Sequence, residues 1–121
     1  MKKVLIAEDS SVIQNLAKKI LEFQNFQIHA VKNGQQVLDE LAKAEFDIIL
    51  LDINMPNING YQVVKQVKNN PLTKNIPIII LSGLTEESDK EFGLRIGADH
   101  YLTKPIMPDE IERTIKQYLG H

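Results

Sequence analysis

Short apolar runs, separated by stretches with helical spacing, organise this chain. Val4-Leu5-Ile6-Ala7, Ile48-Ile49-Leu50-Leu51 and Ile78-Ile79-Ile80-Leu81 show no polar alternation, which is the pattern of strands buried on both faces of a parallel sheet. Gln27 to Lys32 alternates weakly through Ile28, Ala30 and Val31, so it reads as a strand with one poorer face, near an edge. His100-Tyr101-Leu102 is a short fifth strand. Between these runs lie five helical patterns. The first is capped by Ser10 or Ser11, carries Ile13, Leu16, Ala17, Ile20 and Leu21, and ends at Asn25. The second follows the Asn33-Gly34 turn with Val37, Leu38, Leu41 and Ala42. The third starts near Asn59 or Gly60, carries Val63, Val64 and Val67, and stops at Asn69-Asn70-Pro71. The fourth, Glu86 to Ile96 behind Thr85, offers only Phe92, Leu94 and Ile96 for burial, and so should be among the least stable elements. Pro108 opens the fifth, with Ile111, Ile115 and Leu119 inward. Five strands alternating with five helices predict an α/β fold. Its sheet should be parallel, its crossovers right-handed, and its helices on both faces.

Length and composition narrow the function. At 121 residues the chain is one domain's worth, expected to span 1–121 with no linker and no separate output domain. A net charge of -2 gives no electrostatic reason to expect nucleic-acid binding. Without cysteine there is no disulfide or thiolate chemistry. The first apolar run stops at Glu8, too soon for a signal peptide or a membrane span. A cytoplasmic protein away from membranes is expected.

In a parallel sheet all strand C-termini emerge on one edge, where open α/β folds place their ligands. Here that edge receives Glu8-Asp9, Asp52, Ser82 and Thr103-Lys104. Taken singly, each has an ordinary reading: acids favour helix N-termini, and Asp and Ser are common turn residues. Together they gather three carboxylates, a hydroxyl and an ammonium. At about 5 Å and an effective dielectric of 20, each like-charged pair costs roughly 3 kcal/mol, so the cluster calls for a cation. Oxygen-only ligands of this kind suit Mg²⁺. The lysine and the hydroxyl then match the needs of a phosphoryl group. His29, His100 and His121 are too dispersed to ligate a metal.

Glu8-Asp9, Asp52 with Met55-Pro56 and Gly60 behind it, Ser82, and Tyr101 three before Lys104-Pro105 resemble the receiver domain of two-component response regulators. The likeness covers the whole chain. It implies the flavodoxin-like, doubly wound, five-stranded sheet of order 2-1-3-4-5 with five helices. Asp52 would be the phosphoacceptor, taking its phosphoryl group from a sensor histidine kinase or a histidine phosphotransfer protein. Asp9, Asp52 and the Asn54 carbonyl would ligate Mg²⁺, with Glu8 reaching it through water. Ser82 and Lys104 would hold phosphoryl oxygens, Ser82 and Tyr101 would form the switch, and Lys104-Pro105 would be a cis peptide. Asn54 and Leu84 would flank the approach of the hydrolytic water. Leu84 cannot orient that water, so slow self-dephosphorylation is expected. The family departs little from this sequence: Glu8 stands where aspartate is also common, and Gly83 replaces the more usual alanine.

The resemblance implies a signalling switch, not an enzyme, that acts on a downstream protein the sequence does not identify. Output would run through the face of the fourth predicted helix, the fifth strand and the fifth predicted helix. A monomer is expected, with dimerisation on phosphorylation as the variant. The first alternative is an aspartate-nucleophile phosphohydrolase, which needs an acid two residues after its nucleophile, where Asn54 stands. A flavodoxin-like electron carrier would need a phosphate cradle where Glu8-Asp9 repels one. The remaining alternative is a receiver-like module that binds partners without phosphorylation.

Overall fold

The structure, a computed structural model, describes residues 2–8, 10–11, 14–15, 18–19, 25–53, 60–83 and 87–120. The strands are β1 (Lys3–Ala7), β2 (Gln27–Val31), β3 (Ile48–Asp52), β4 (Ile78–Ser82) and β5 (His100–Thr103). They form one parallel sheet in the order β2-β1-β3-β4-β5, the order that the family likeness implies. β2 lies at an edge, and its weak alternation follows: Gln27 and His29 face solvent while only Val31 is buried.

Four helices are delineated: α1 (Gly34–Lys43), α2 (Gly60–Asn69), α3 (Glu87–Arg95) and α4 (Pro108–Leu119). The expectation of five helices is thereby corrected to four among the described residues. The apolar positions that predict the first one, Ile13, Leu16, Ala17, Ile20 and Leu21, lie outside those residues. Only the isolated positions Ser11, Gln14, Asn15, Lys18 and Lys19 are helical there. The fourth and fifth predicted helices are therefore α3 and α4. Thr85, the expected cap of α3, lies outside the described residues.

The helix termini follow local chemistry. The Asn33 side chain caps α1 by accepting the Gln36 N–H at 2.9 Å. Pro108 occupies the first turn of α4, and Gly120 closes that helix in the left-handed conformation.

Burial on both faces explains why β1, β3 and β4 do not alternate. One side of the sheet presents Leu5, Ala7, Ile49, Leu51, Ile78 and Ile80 to Val37 of α1 and to Val63, Val64 and Val67 of α2. The other presents Val4, Ile6, Ile48, Leu50, Ile79 and Leu81 to Ile111 and Ile115 of α4. α3 contributes little to either core. Gly93 is its one buried residue, and Phe92 and Leu94 are exposed.

At the N-terminal ends of the strands, Lys68 of α2 ties down two connections at once. Its ammonium donates to Lys74 O at 3.2 Å, Ile76 O at 2.9 Å and Asp99 Oδ2 at 2.9 Å. All three of its protons are thus used. Gly97, at φ 125°, makes the turn out of α3 beside the Lys68 stem, where a Cβ would meet Lys68 Cγ at 2.9 Å. This lower layer holds β4 and β5 in register, so that their opposite ends deliver Ser82 and Lys104 together.

Candidate functional site

The C-terminal ends of β1, β3, β4 and β5 meet at one rim. Glu8 follows β1 directly, Asp52 closes β3 and Ser82 closes β4. All three are buried, at 1%, 3% and 0% exposure. Parallel pairing sets Asp52 beside Leu81 and Ser82 beside Thr103, so the strand register alone brings these residues to one level. Lys104 follows β5. Its backbone N–H donates to Ser82 O at 2.6 Å, and the Lys104–Pro105 peptide is cis.

The lysine side chain joins the strands electrostatically. Its Nζ lies 3.2 Å from Glu8 Oε1 and 3.1 Å from Glu8 Oε2, and 3.3 Å from Asp52 Oδ2. Glu8 Oε1 also accepts the Ser10 N–H at 3.2 Å. Glu8 Oε2 is buried and, among the described residues, accepts no hydrogen bond, only the ion-pair approach of the ammonium. Among the described residues the site thus holds two carboxylates against one ammonium, with one carboxylate oxygen under-coordinated.

The ionisation equilibria reflect that imbalance. Burial pushes the Glu8 carboxyl above its ordinary range, and the neighbouring Asp52 charge pushes it further, while Lys104 and the Ser10 N–H pull it back. Burial works to lower the Lys104 ammonium, but the hydrogen bond and charge of Glu8, with Asp52 behind it, outweigh burial and raise it.

Because the folded protein holds the Glu8 proton more tightly than the unfolded chain, stability falls as pH rises from 4.5 through the raised value, and the cost persists above it. Glu8→Gln should therefore stabilise the metal-free protein at pH 7 by about 1 kcal/mol, a melting rise of several degrees in a domain of this size. The gain should vanish below pH 4.5, where the wild-type carboxyl is protonated in both states. Thermal melts in chelator across pH check this, and an unchanged or lowered midpoint at neutral pH contradicts it.

Of the predicted site residues, the fold brings together Glu8, Asp52, Ser82 and Lys104. Tyr101 sits half-buried on β5, two residues before Thr103 at the rim and paired with Ile80 of β4. It lies against α3 at Gly93, where an added Cβ would stand 3.2 Å from Tyr101 Cδ2. Asp9, Asn54 and Leu84 lie outside the described residues, as do Met55 and Pro56. Gly60 is in place at the start of α2, its N–H donating to Ile53 O at 3.3 Å.

Sequence reasoning missed Gln14. It is buried, and its amide bonds the carbonyl of Glu8 at 2.7 Å. The available signal was its spacing: Gln14 stands three and seven residues before Ala17 and Leu21, a polar residue within a predicted apolar stripe.

Comparison with known proteins agrees with this geometry. The family described as the response regulator receiver domain matches residues 4–116. The cell cycle response regulator CtrA of Brucella ovis is 35% identical over 98% of this chain and 52% of its own length. The chain thus spans about half the length of the curated relatives it matches. Among solved structures, the chemotaxis response regulator CheY4 of Vibrio cholerae superposes with a TM-score of 0.92 at 31% identity, covering 98% of each chain. The signal receiver domain of a signal transduction histidine kinase from Syntrophus aciditrophicus gives 0.91 at 32% identity, over 99% of this chain and 91% of that one. The receiver domain of sensor histidine kinase PA1611 from Pseudomonas aeruginosa, described with a magnesium ion coordinated in its active-site cleft, gives 0.89 at 26% identity, over 99% of this chain and 98% of that one. The rim of acids with its single lysine and the match along nearly the whole sequence lead to one assignment: this chain belongs to the response regulator receiver domain family.

Proposed function

We propose that Asp52 is the phosphoacceptor of a Mg²⁺-dependent switch. The observation that carries this reading is Lys104 Nζ standing between the Glu8 and Asp52 carboxylates, at 3.1 Å and 3.3 Å, on the buried rim of the sheet. Receiver domains take a phosphoryl group on an aspartate and relay a signal; they are switches, not turnover enzymes.

Mg²⁺ fits the residues present. Among the described residues Glu8 Oε2 is a buried oxygen without a hydrogen bond, the carboxylates outnumber the ammonium, and the donor set is oxygen only. Asp9, Asp52 and the Asn54 carbonyl would hold the ion, with Glu8 through water. Bound there, it would supply charge neutralisation for the phosphoryl oxygens. The chain's own groups do the rest. An Asp52 carboxylate oxygen attacks phosphorus as the N–P bond of a donor phosphohistidine breaks; the bonding pair stays on that ring nitrogen, and the imidazole leaves neutral, keeping the proton already on its other nitrogen. Lys104 and the Ser82 hydroxyl receive the transferred oxygens. The donor would be a histidine kinase or a histidine phosphotransfer protein. Output would run through α3, β5 and α4, where Phe92, Leu94 and Met107 are exposed.

Incubation with acetyl phosphate and MgCl₂, followed by intact-protein mass spectrometry, tests the reading. One added phosphoryl group is expected, and none in chelator. An unchanged mass, under conditions where a known receiver reacts, would favour a phosphorylation-independent binding module.

A further inference from the structure

Five polar side chains are buried among the described residues: Glu8, Gln14, Asp52, Ser82 and Thr114. Glu8, Asp52 and Ser82 form the site, and Gln14 is bound to the backbone of one of them. We propose that Gln14 is a positioning residue for the acidic end of the site, an inference that rests on the Mg²⁺ reading above.

The Gln14 carboxamide Nε2 donates to Glu8 O at 2.7 Å and to Val31 O at 2.9 Å. A primary amide has two N–H groups, so it can bridge two carbonyls. β1 and β2 pair in register as far as Ala7 and Val31, and the Glu8 N–H reaches back to Val31 O at 3.1 Å. The strand pairing ends there. Gln14 adds one more rung with a side chain, and its own N–H, bonded to Ser10 O at 3.0 Å, holds it over the strand end.

This rung lies at the residue whose side chain meets Lys104 and whose neighbour in sequence is Asp9. Glu8 is 1% exposed, so its carbonyl has little access to water in place of the amide. Without Gln14 the Glu8 backbone can rotate away from the sheet, carrying the acidic pair with it. Gln14 touches neither phosphoryl group nor metal; it acts by fixing the strand end that presents the ligands, as outer-shell partners do.

Gln14→Met keeps the length of the side chain and removes both donors. Titration of the full chain with MgCl₂ alone, followed by ¹H–¹⁵N spectra, should show affinity lowered about tenfold, the lower end of the loss seen when a ligand-orienting partner is removed. Amide exchange at Glu8 should accelerate in the metal-free variant. Gln14→Asn, which keeps the neutral carboxamide and both N–H donors on a shorter stem, should recover part of the affinity. A merely structural glutamine would lower the melting temperature and leave affinity at the wild-type value; that result in folded Gln14→Met overturns the proposal. If Gln14→Met does not fold, Gln14→Ser carries the same titration with the same criterion. A wild type without Mg²⁺-dependent shifts overturns the metal reading and this proposal with it. Wild-type binding that Gln14→Met leaves unchanged overturns this proposal alone.

Discussion

Lys104→Met should destabilise the metal-free protein at neutral pH by about 2 kcal/mol, because it leaves Glu8 and Asp52 facing each other without a counter-charge. Removing one partner of a fully buried pair costs roughly 3–5 kcal/mol. The Lys104 side chain is 27% exposed, and solvent screening reduces its share. Two pH signatures identify the cause. As pH falls through the raised Glu8 value, the carboxyl takes up a proton and the penalty should shrink. At the alkaline end, the raised Lys104 ammonium contributes stability to wild type that is complete below 10.5 and is lost as pH rises through its folded value. The variant lacks that alkaline slope. Mg²⁺ should restore part of the stability, since it supplies positive charge to the same carboxylates. Denaturant titrations from acid to alkaline pH read all of this. A variant as stable as wild type at neutral pH would show that the ammonium does not hold the acids together.

Gly60→Ala should cost about 2–3 kcal/mol, the range of overpacking in a closed core. Helix propensity predicts the opposite sign, since alanine is favoured over glycine in helices by about 1 kcal/mol. Close packing decides. A Cβ on Gly60 would fall 2.7 Å from Ile53 Cα and 2.9 Å from Ile53 O. That backbone cannot give way cheaply. The Ile53 N–H is bonded to Leu81 O at 3.1 Å and its carbonyl accepts the Gly60 N–H at 3.3 Å. Ile53 directly follows Asp52, so the same strain reaches the site, and phosphoryl uptake by the folded variant should also slow. Chemical unfolding measures the first effect. An alanine variant equal to or more stable than wild type would mean that the start of α2 lifts off Ile53 without loss.

The sheet was legible in the sequence because both-face burial leaves a strong signature. Ile48 to Leu51 and Ile78 to Leu81 have no polar residue, and all eight are buried. Once those runs are strands of a parallel sheet, the convergence of Glu8, Asp52, Ser82 and Lys104 follows from topology. The weaker elements were legible for a different reason. α3 stands out in the sequence by its scarcity of apolar residues, and it buries only Gly93. Other features were out of reach. Gln14 looks like any polar helix residue until the β1–β2 pairing shows two carbonyls within reach of one amide. Lys68 likewise has nothing in its sequence neighbourhood to announce Asp99, which comes beside it only through folding. Periodicity counts apolar positions, and it does not tell which polar group will find a buried partner.

The family assignment gives the general chemistry, and one residue, Asp52, should carry it. After reaction with acetyl phosphate and MgCl₂, the acyl phosphate should be trapped by borohydride reduction and located by peptide mass spectrometry. Modification is expected at Asp52 alone in the β3 peptide, and none in Asp52→Asn. Modification at Asp9 or Glu8 with Asp52 intact, or undiminished labelling of Asp52→Asn, would contradict it.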